Sequence, residues 1–137
     1  AGLPEDKVVQ AHGSFGSATC TSHKCARSVT DMDALWATIE EGGVPRCECC
    51  GEVVRPDVTF FGEGLPPRFL QLHADDCKAA DILIVAGTSL VVYPFAGMVN
   101  MVPLLTPRLL LNRDPVGPWK DLESRADTNY RDVAVLG

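Results

Sequence analysis

Continuous apolar runs are the clearest hydrophobic pattern in the chain. One spans Ile82–Ala86 and another lies within Arg108–Asn112, and in neither do apolar and polar residues alternate. Strands that are buried on both faces have this composition, and parallel sheets covered by helices contain such strands. A helical stretch between the two runs gives the order strand, helix, strand, which predicts a βαβ unit. The expected fold class is therefore α/β, and Val133–Leu136 is expected to add one last short strand.

The spacing of apolar residues predicts a first helix that begins near Thr30. Its apolar face, at i, i+3, i+4 and i+7, is formed by Met32, Leu35, Trp36 and Ile39. Thr30 is a suitable N-cap, and the acidic residues Asp31 and Asp33 in the first turn interact favourably with the helix dipole. The helix is expected to end at Gly42-Gly43.

Prolines mark the remaining elements. A second helix is expected from Pro66-Pro67 to about Ala80, because proline suits the first helical turn. A third helix is expected to begin at Pro94 and to end before Pro103. Residues 113–131 are polar and contain two prolines, so they are predicted to form a mobile loop.

Composition narrows the possible classes of protein. The chain has 137 residues, of which 46% are hydrophobic and 22% charged, and this is ordinary for one globular domain. Twelve Lys and Arg against 18 Asp and Glu give a net charge of −6. Nucleic-acid binders usually have a basic surface, because neutralising phosphates supplies much of their affinity. Direct binding of nucleic acid is therefore not expected.

One uncharged stretch needs a separate interpretation. No charged residue occurs from Ile82 to Pro107, a length sufficient for a membrane span. Glycines and prolines within it would interrupt a helix repeatedly, so a buried strand, a turn and a short helix are the better interpretation. The first residues, Ala1–Lys7, lack a basic region followed by an apolar run and do not resemble a signal peptide. We therefore expect a soluble protein without a membrane span.

Two close cysteine pairs predict a metal site. Four residues separate Cys20 from Cys25, two separate Cys47 from Cys50, and 21 lie between the pairs. This spacing is typical of a structural Zn–Cys₄ site, in which two short loops each present two thiolates. Disulfides are the alternative, but no secretory signal is evident and close pairs are poor geometry for stapling a fold. One structural Zn²⁺ is therefore expected.

Three other residues bear on the choice of ligands. Cys49 lies inside the second pair and His23 inside the first, so each is an alternative ligand. Spacing favours Cys47 and Cys50 over Cys49, and an exposed loop histidine is the simpler interpretation of His23. Cys77 falls in the predicted second helix and is expected to be a small buried apolar residue.

Polar groups follow three of the apolar runs. They are His12-Gly13 after Val8-Val9, then Gly87-Thr88-Ser89, then Asn112-Arg113-Asp114. Ligands of open α/β sheets bind beyond the carboxyl ends of the strands. Backbone N–H groups and hydroxyls suit phosphate or ribose, and histidine is a candidate base near neutral pH. No Gly-x-Gly-x-x-Gly motif follows a strand, so these residues alone indicate a candidate nucleotide site.

Several motifs occur together in the order found in sirtuins, and their resemblance covers nearly the whole chain. They are Ala11-His12-Gly13-Ser14-Phe15, the two cysteine pairs, Arg55-Pro56-Asp57, Phe60-Phe61-Gly62-Glu63, Gly87-Thr88-Ser89-Leu90, Pro94-Phe95-Ala96 and Leu111-Asn112-Arg113-Asp114. The resemblance implies part of a Rossmann-like parallel sheet with helices on both faces, formed by residues 1–19 and 56–137. Residues 20–55 would form an inserted zinc module. The gap in the first cysteine pair is most similar to the cytosolic branch of class I, which implies a cytoplasmic location, with a nuclear one also open.

The resemblance also implies an activity. Sirtuins are NAD-dependent protein lysine deacylases, which use NAD as co-substrate and convert acyl-lysine proteins to nicotinamide, free lysine and 2′-O-acyl-ADP-ribose. His12 resembles the catalytic general base, which acts on the ribose hydroxyls. The residues that resemble NAD contacts are Gly87, Thr88, Ser89, Asn112, Arg113 and Asp114. The residues that resemble contacts to the substrate, which would add as an extended strand, are Val58, Phe61, Gly62, Glu63 and Val92.

Some family motifs do not occur in the chain. Gly-Ala-Gly-Ile-Ser, Asp-Phe-Arg and Gln-Asn-Ile-Asp, which bind pyrophosphate, nicotinamide and ribose in sirtuins, are missing. The chain therefore resembles the C-terminal portion of the catalytic core, and little activity is expected from it alone. Thr59 stands where many relatives carry Val. Two other interpretations stay open: a non-catalytic, zinc-stabilised peptide-binding module and a sirtuin-fold mono-ADP-ribosyltransferase.

Overall fold

The chain folds into two compact units, Ala1–Leu70 and Gln71–Gly137, and the computed structural model describes residues 2–137. In the first unit, strands β1 (Gly13–Cys20) and β2 (Val54–Val58) pair antiparallel, with one register irregularity. A short 3₁₀ helix, Glu5–Lys7, precedes them. The predicted strand end at Val8-Val9 is wrong, because residues 8–10 form no strand and His12 lies in the turn before β1.

Helix α1 (Met32–Glu40) confirms the first predicted helix. Its N-cap is Asp31, not Thr30 as predicted, since the Asp31 carboxylate accepts a hydrogen bond from the backbone N–H of Ala34 at 2.9 Å. A carboxylate at this position caps an orphan N–H group and also interacts with the helix dipole. The apolar face of α1 packs on the core of the first unit, which contains Ala18, Cys20, Leu35, Cys47 and Val54. The core of this unit is therefore built around the cysteines.

Helix α2 (Pro67–Ala79) follows, with the bounds that its two prolines predicted to within a residue. Cys77 is buried within it, and burial raises the pKa of its thiol. This confirms the interpretation of Cys77 as a small buried residue rather than a metal ligand.

The second unit contains a parallel sheet. Its strands are β3 (Leu83–Ala86), β4 (Arg108–Asn112) and β5 (Asp132–Leu136), in the spatial order β3-β4-β5. This confirms the α/β class and the three predicted strands. Helix α3 (Phe95–Met98) lies between β3 and β4 in the chain and is shorter than predicted. The uncharged stretch thus forms a strand, a turn and a short helix, and none of the described helices is long and apolar enough to cross a membrane.

The segment after β4 has more regular structure than its composition indicates. It contains two 3₁₀ helices, Gly117–Asp121 and Glu123–Arg125, so the prediction of a loop throughout 113–131 is wrong. The reason is Trp119, which is only 2% exposed. It packs in the core of the second unit with Val85, Leu90, Val99, Leu110 and Val116. One buried tryptophan anchors the segment without producing any helical periodicity.

Candidate active site and metal centre

Four cysteines of the first unit converge on one point. The Sγ atoms of Cys20, Cys25, Cys47 and Cys50 all lie within 4.8 Å of one another. Cys20 Sγ is 3.5 Å from Cys50 Sγ, and Cys25 Sγ is 3.8 Å from Cys47 Sγ. A regular tetrahedron with Zn–S bonds of about 2.3 Å places its sulfurs about 3.8 Å apart. The four side chains therefore fit a tetrahedral zinc ion, whereas a disulfide requires sulfurs about 2.05 Å apart.

Two tight turns present the four sulfurs. In the first, the backbone N–H of Cys20 donates to Arg27 O at 2.9 Å and that of Cys25 to Ser22 O at 3.0 Å. In the second, the N–H of Cys47 donates to Glu52 O and that of Gly51 to Cys47 O, both at 2.8 Å. Backbone hydrogen bonds therefore close each turn at its base and hold the two cysteines of each pair within one short loop.

The predicted ligand choice agrees with this geometry. Cys49 and His23 are both exposed, and neither belongs to the cysteine cluster found within residues 2–137. The backbone N–H groups of Cys49 and Cys50 lower the pKa of the Cys47 thiol to about 7, which favours the thiolate that binds metals. The Ser22 amide lowers the pKa of Cys20, but burial and the neighbouring Cys50 and Cys47 outweigh it and raise that pKa to about 12. A cation bound between the sulfurs would favour the thiolate forms.

His12 is held at the end of the antiparallel pair. It is exposed, and its backbone carbonyl accepts a hydrogen bond from Thr59 N at 3.0 Å. The next residue, Gly13, pairs with Val58 and has a φ of +73°. A Cβ atom on Gly13 would lie 1.9 Å from Asp57 O, so no side chain can be accommodated there. The structure thus brings the backbone of His12 next to Val58 and Thr59.

The carboxylate of Glu63 is engaged within the protein. Its two oxygens accept from the Arg55 guanidinium at 2.8 and 2.9 Å, and one also accepts from Phe60 N at 2.9 Å. Arg55 lies over the Phe60 ring, 5.0 Å from its centroid. The hydrogen bonds from Arg55, followed by the one from Phe60, lower the pKa of Glu63 below its ordinary value. Glu63 therefore shapes the turn that leaves Phe61 fully exposed and Gly62 at a φ of +89°.

The predicted nucleotide residues lie at one edge of the parallel sheet. Gly87, Thr88 and Ser89 follow β3, Asn112 is the last residue of β4, and Arg113 and Asp114 follow it. Because β3, β4 and β5 are parallel, their carboxyl ends share this edge. A cavity of about 450 Å³ opens there, within the usual size range of small-molecule sites. It is lined by Gly87, Leu111, Asn112, Arg113, Val135, Leu136 and Gly137.

The residues that line this cavity are not the same set as the predicted nucleotide contacts. Thr88, Ser89 and Asp114 are at the same edge but do not line the cavity. Val135 and Leu136 line it and were predicted only as strand residues. Their proximity follows from the register of β5 on β4, in which Leu136 is the partner of Asn112. Val92, predicted as a substrate contact, is 51% exposed in the second unit.

A parallel α/β sheet with a ligand-sized cavity at its carboxyl edge defines a candidate nucleotide-binding protein, here with a four-cysteine metal module in the same chain. The chain belongs to the Sir2 family, whose profile matches residues 1–94.

Three relatives agree with this family. Over all of this chain, 51% of residues are identical to the mouse (Mus musculus) "NAD-dependent protein deacetylase sirtuin-3", covering 38% of that protein. The "NAD-dependent deacetylase sir2B" of Dictyostelium discoideum is 46% identical over 90% of this chain and 16% of its own length. The zebrafish (Danio rerio) "NAD-dependent protein deacetylase sirtuin-2" is 38% identical over 99% of this chain and 38% of its own. The chain thus spans well under half the length of these relatives.

Proposed function

We propose that this chain forms part of the catalytic core of an NAD-dependent protein lysine deacetylase. The observation that carries the proposal is the 51% identity, over the whole chain, to a protein named as such a deacetylase. The cavity at the carboxyl edge of β3–β5 supports it, because that edge is where α/β sheets bind nucleotides. The proposed substrates are acyl-lysine peptides or proteins, and the proposed products are nicotinamide, free lysine and 2′-O-acyl-ADP-ribose.

His12 is the proposed general base. NAD, when bound, supplies a ribose carbon activated by the departure of nicotinamide. The imidazole of His12 would accept the proton of a ribose hydroxyl and so raise the nucleophilicity of its oxygen. Two features support this role: the side chain is exposed, and its backbone is fixed through Thr59 N and the close approach of Gly13 to Asp57.

The remaining proposed roles divide between binding and structure. Gly87, Asn112 and Arg113 border the cavity proposed for the adenosine side of NAD. Val58, beside His12, would contact the acyl chain, and the exposed Phe61-Gly62 would offer backbone to an extended peptide. The four cysteines would hold one structural zinc, because four thiolates leave no open position for water.

A cytoplasmic location, with a nuclear one also open, stays a prediction that imaging of the tagged protein would test.

A product analysis with labelled NAD tests the proposal. The complete natural polypeptide is incubated with an acetyl-lysine peptide and NAD labelled in the adenine, and the products are separated by mass spectrometry. Deacetylated peptide and labelled acyl-ADP-ribose, in equal amounts with nicotinamide, are expected. Label attached to protein would instead establish a mono-ADP-ribosyltransferase. Peptide binding that NAD neither changes nor converts into product would establish a non-catalytic module.

A further inference from the structure

The segment Arg27–Val29 forms a free strand edge in the first unit. Ser28 makes an isolated antiparallel bridge with Thr19 of β1, and the hydrogen bonds of this bridge are formed by the residues that flank the two partners. In an antiparallel ladder, the N–H and C=O groups of such a non-hydrogen-bonded pair point away from the partner strand. The backbone groups of Ser28 therefore point outward, and within residues 2–137 neither has a backbone hydrogen-bond partner.

The segment Pro45–Cys47 forms a second edge of the same kind. Arg46 makes an isolated antiparallel bridge with Val53, and here too the flanking residues form the hydrogen bonds. The N–H and C=O of Arg46 thus point away from Val53 and have no backbone partner in the part of the chain that the structure describes. The two edges are the outer members of one antiparallel arrangement whose inner members are β1 and the chain at the start of β2.

One cavity lies between the two edges. Its volume is about 360 Å³, which is within the usual range of ligand sites, and it is lined by residues 27–31 and 44–48. Leu35 of α1 and Val54 of β2, each only 4% exposed, form an apolar floor. The outward backbone groups of Ser28 and Arg46 are therefore on opposite walls of a groove with an apolar floor, here named the edge groove.

The edge groove is positively charged at one end. Three successive antiparallel pairings relate the two edges, so they run antiparallel to each other. Cys25 Sγ lies 3.8 Å from Cys47 Sγ, which places Arg27 and Arg46 together at the end next to the cysteine cluster. Both are exposed, neither pairs with a carboxylate among the described residues, and Glu48 offsets only one of the two charges. A carboxylate binds a guanidinium through two parallel hydrogen bonds, so this end fits an acidic side chain.

We propose that the edge groove binds an extended segment of a partner protein, which adds as a strand between the two edges and places an acidic side chain beside Arg27 and Arg46. In this mode of recognition main-chain hydrogen bonds supply affinity, and alternate side chains supply specificity. The free N–H and C=O groups of Ser28 and Arg46 bond the backbone of the segment, and an apolar side chain covers Leu35 and Val54. The segment needs no acyl-lysine, so the inference does not rest on the proposed deacetylase activity.

A peptide selection tests this proposal. Random heptapeptides displayed on phage are selected on the complete natural polypeptide with zinc bound, and the selected peptides are synthesised and titrated by fluorescence polarisation. The selected sequences should share β-branched residues at alternate positions and at least one Asp or Glu. A saturating acetyl-lysine peptide should not displace them. Failure to select such sequences, or their displacement by the acetyl-lysine peptide, would overturn the proposal.

Charge reversal tests the end of the groove next to the cysteines. The double variant Arg27→Glu/Arg46→Glu should bind a selected peptide at least tenfold more weakly. Lys24→Glu is the matched control, because Lys24 is an exposed cation near the same cysteines and does not line the edge groove. Its affinity should stay within twofold of wild type, and zinc content should be unchanged in both variants. Equal affinity of the double variant and the control would contradict the proposed site.

Hydrogen exchange of the unsubstituted protein, followed by NMR, tests strand addition directly. The amides of Ser28 and Arg46 have no backbone partner in the free protein, so both should exchange at least tenfold more slowly in the peptide complex. Unchanged exchange of both amides would refute strand addition, since a ligand held by side chains alone leaves them free. Protection of both amides without peptide, in a protein that sediments as a dimer, would assign the groove to a second copy of the chain and overturn the proposal.

Discussion

Arg108 and Asp132 form a two-pronged ion pair between the first residues of β4 and β5. Arg108 Nε and Nη2 each lie 2.6 Å from an Asp132 carboxylate oxygen, and the two side chains are 4% and 1% exposed. The two residues are register partners in the parallel sheet. Arg108 also donates to Val99 O at 2.9 Å and lies over the Trp119 ring, 5.5 Å from its centroid. This pair therefore joins β4, β5 and the 3₁₀ segment of the second unit.

Asp132→Asn should destabilise the protein strongly. Removing one partner of a buried ion pair leaves an uncompensated charge, which costs about 3–5 kcal/mol. The free energy of unfolding, from urea denaturation followed by tryptophan fluorescence, should fall by this amount. Asp127→Asn, at an exposed position, is the control and should change it by less than about 0.5 kcal/mol. A loss below about 1 kcal/mol for Asp132→Asn would show that the pair is not needed for stability.

The same pair predicts a dependence of stability on pH. Burial alone would raise the pKa of Asp132, but the hydrogen bonds and charge of Arg108, helped by Arg125, outweigh it and lower that pKa below its ordinary 3.8. Because the folded-state pKa is depressed, the stabilisation is complete well above pH 3.8. It is lost as the pH falls from there through the folded-state pKa. The stability difference between wild type and Asp132→Asn should therefore shrink on acidification below about pH 4, and a constant difference from pH 6 to pH 3 would contradict this.

Zinc removal should unfold residues 20–55. Purified protein should contain one equivalent of zinc by elemental mass spectrometry, and Cys50→Ser should lose most of it. Cys49→Ser is the matched control, because Cys49 is adjacent but lies outside the cluster. Hydrogen exchange of residues 20–55 should rise in Cys50→Ser or after chelation, since this core is built on the cysteines. Equal zinc content in the two serine variants would exclude the proposed ligand set.

His12→Ala should abolish deacetylation in the complete natural polypeptide. A positioned general base contributes about 10²–10⁴-fold to the rate, so kcat should fall by that factor while zinc content and fold are retained. Exchange of labelled nicotinamide should fall less, because it precedes the step that needs the base. His23→Ala, at an exposed loop position, should keep nearly full activity. A normal turnover rate of His12→Ala would show that His12 is not the general base.

Glu63→Gln should weaken substrate binding without lowering the rate of the chemical step. Gln retains an acceptor for Phe60 N but loses the ionic two-pronged bond to Arg55, so the turn that presents Phe61 loosens. KM for an acetyl-lysine peptide should rise severalfold with kcat nearly unchanged in steady-state assays. Glu5→Gln, an exposed position of the first 3₁₀ helix, is the control. If kcat fell while KM stayed constant, Glu63 would instead act in the chemical step.

The sequence predicted those elements of the fold that depend on interactions between residues close together in the chain. The strand at Arg108–Asn112 has its predicted bounds because its apolar residues form one continuous run. The four cysteines of the metal site could be predicted from the sequence because each pair lies in one short turn. The 3₁₀ helix at Trp119 was not, since it is anchored by packing against residues far away in the sequence. The hydrogen bonds between the Asn112 side-chain amide and the backbone of Thr88 could not be predicted either. They depend on the register that brings the end of β4 beside Thr88.

The metal module enters and leaves the fold at adjacent positions. Cys20, where β1 ends, is the register partner of Val54, where β2 begins. Such partners in an antiparallel ladder have Cα atoms about 4.5–5.5 Å apart. The intervening segment is therefore an exchangeable unit: replacing it by the corresponding segment of a relative, which supplies its own core residues, leaves the ends of both strands where they are. Insertions or replacements within this segment can alter the surface of the first unit while the strand pair that carries His12 keeps its register.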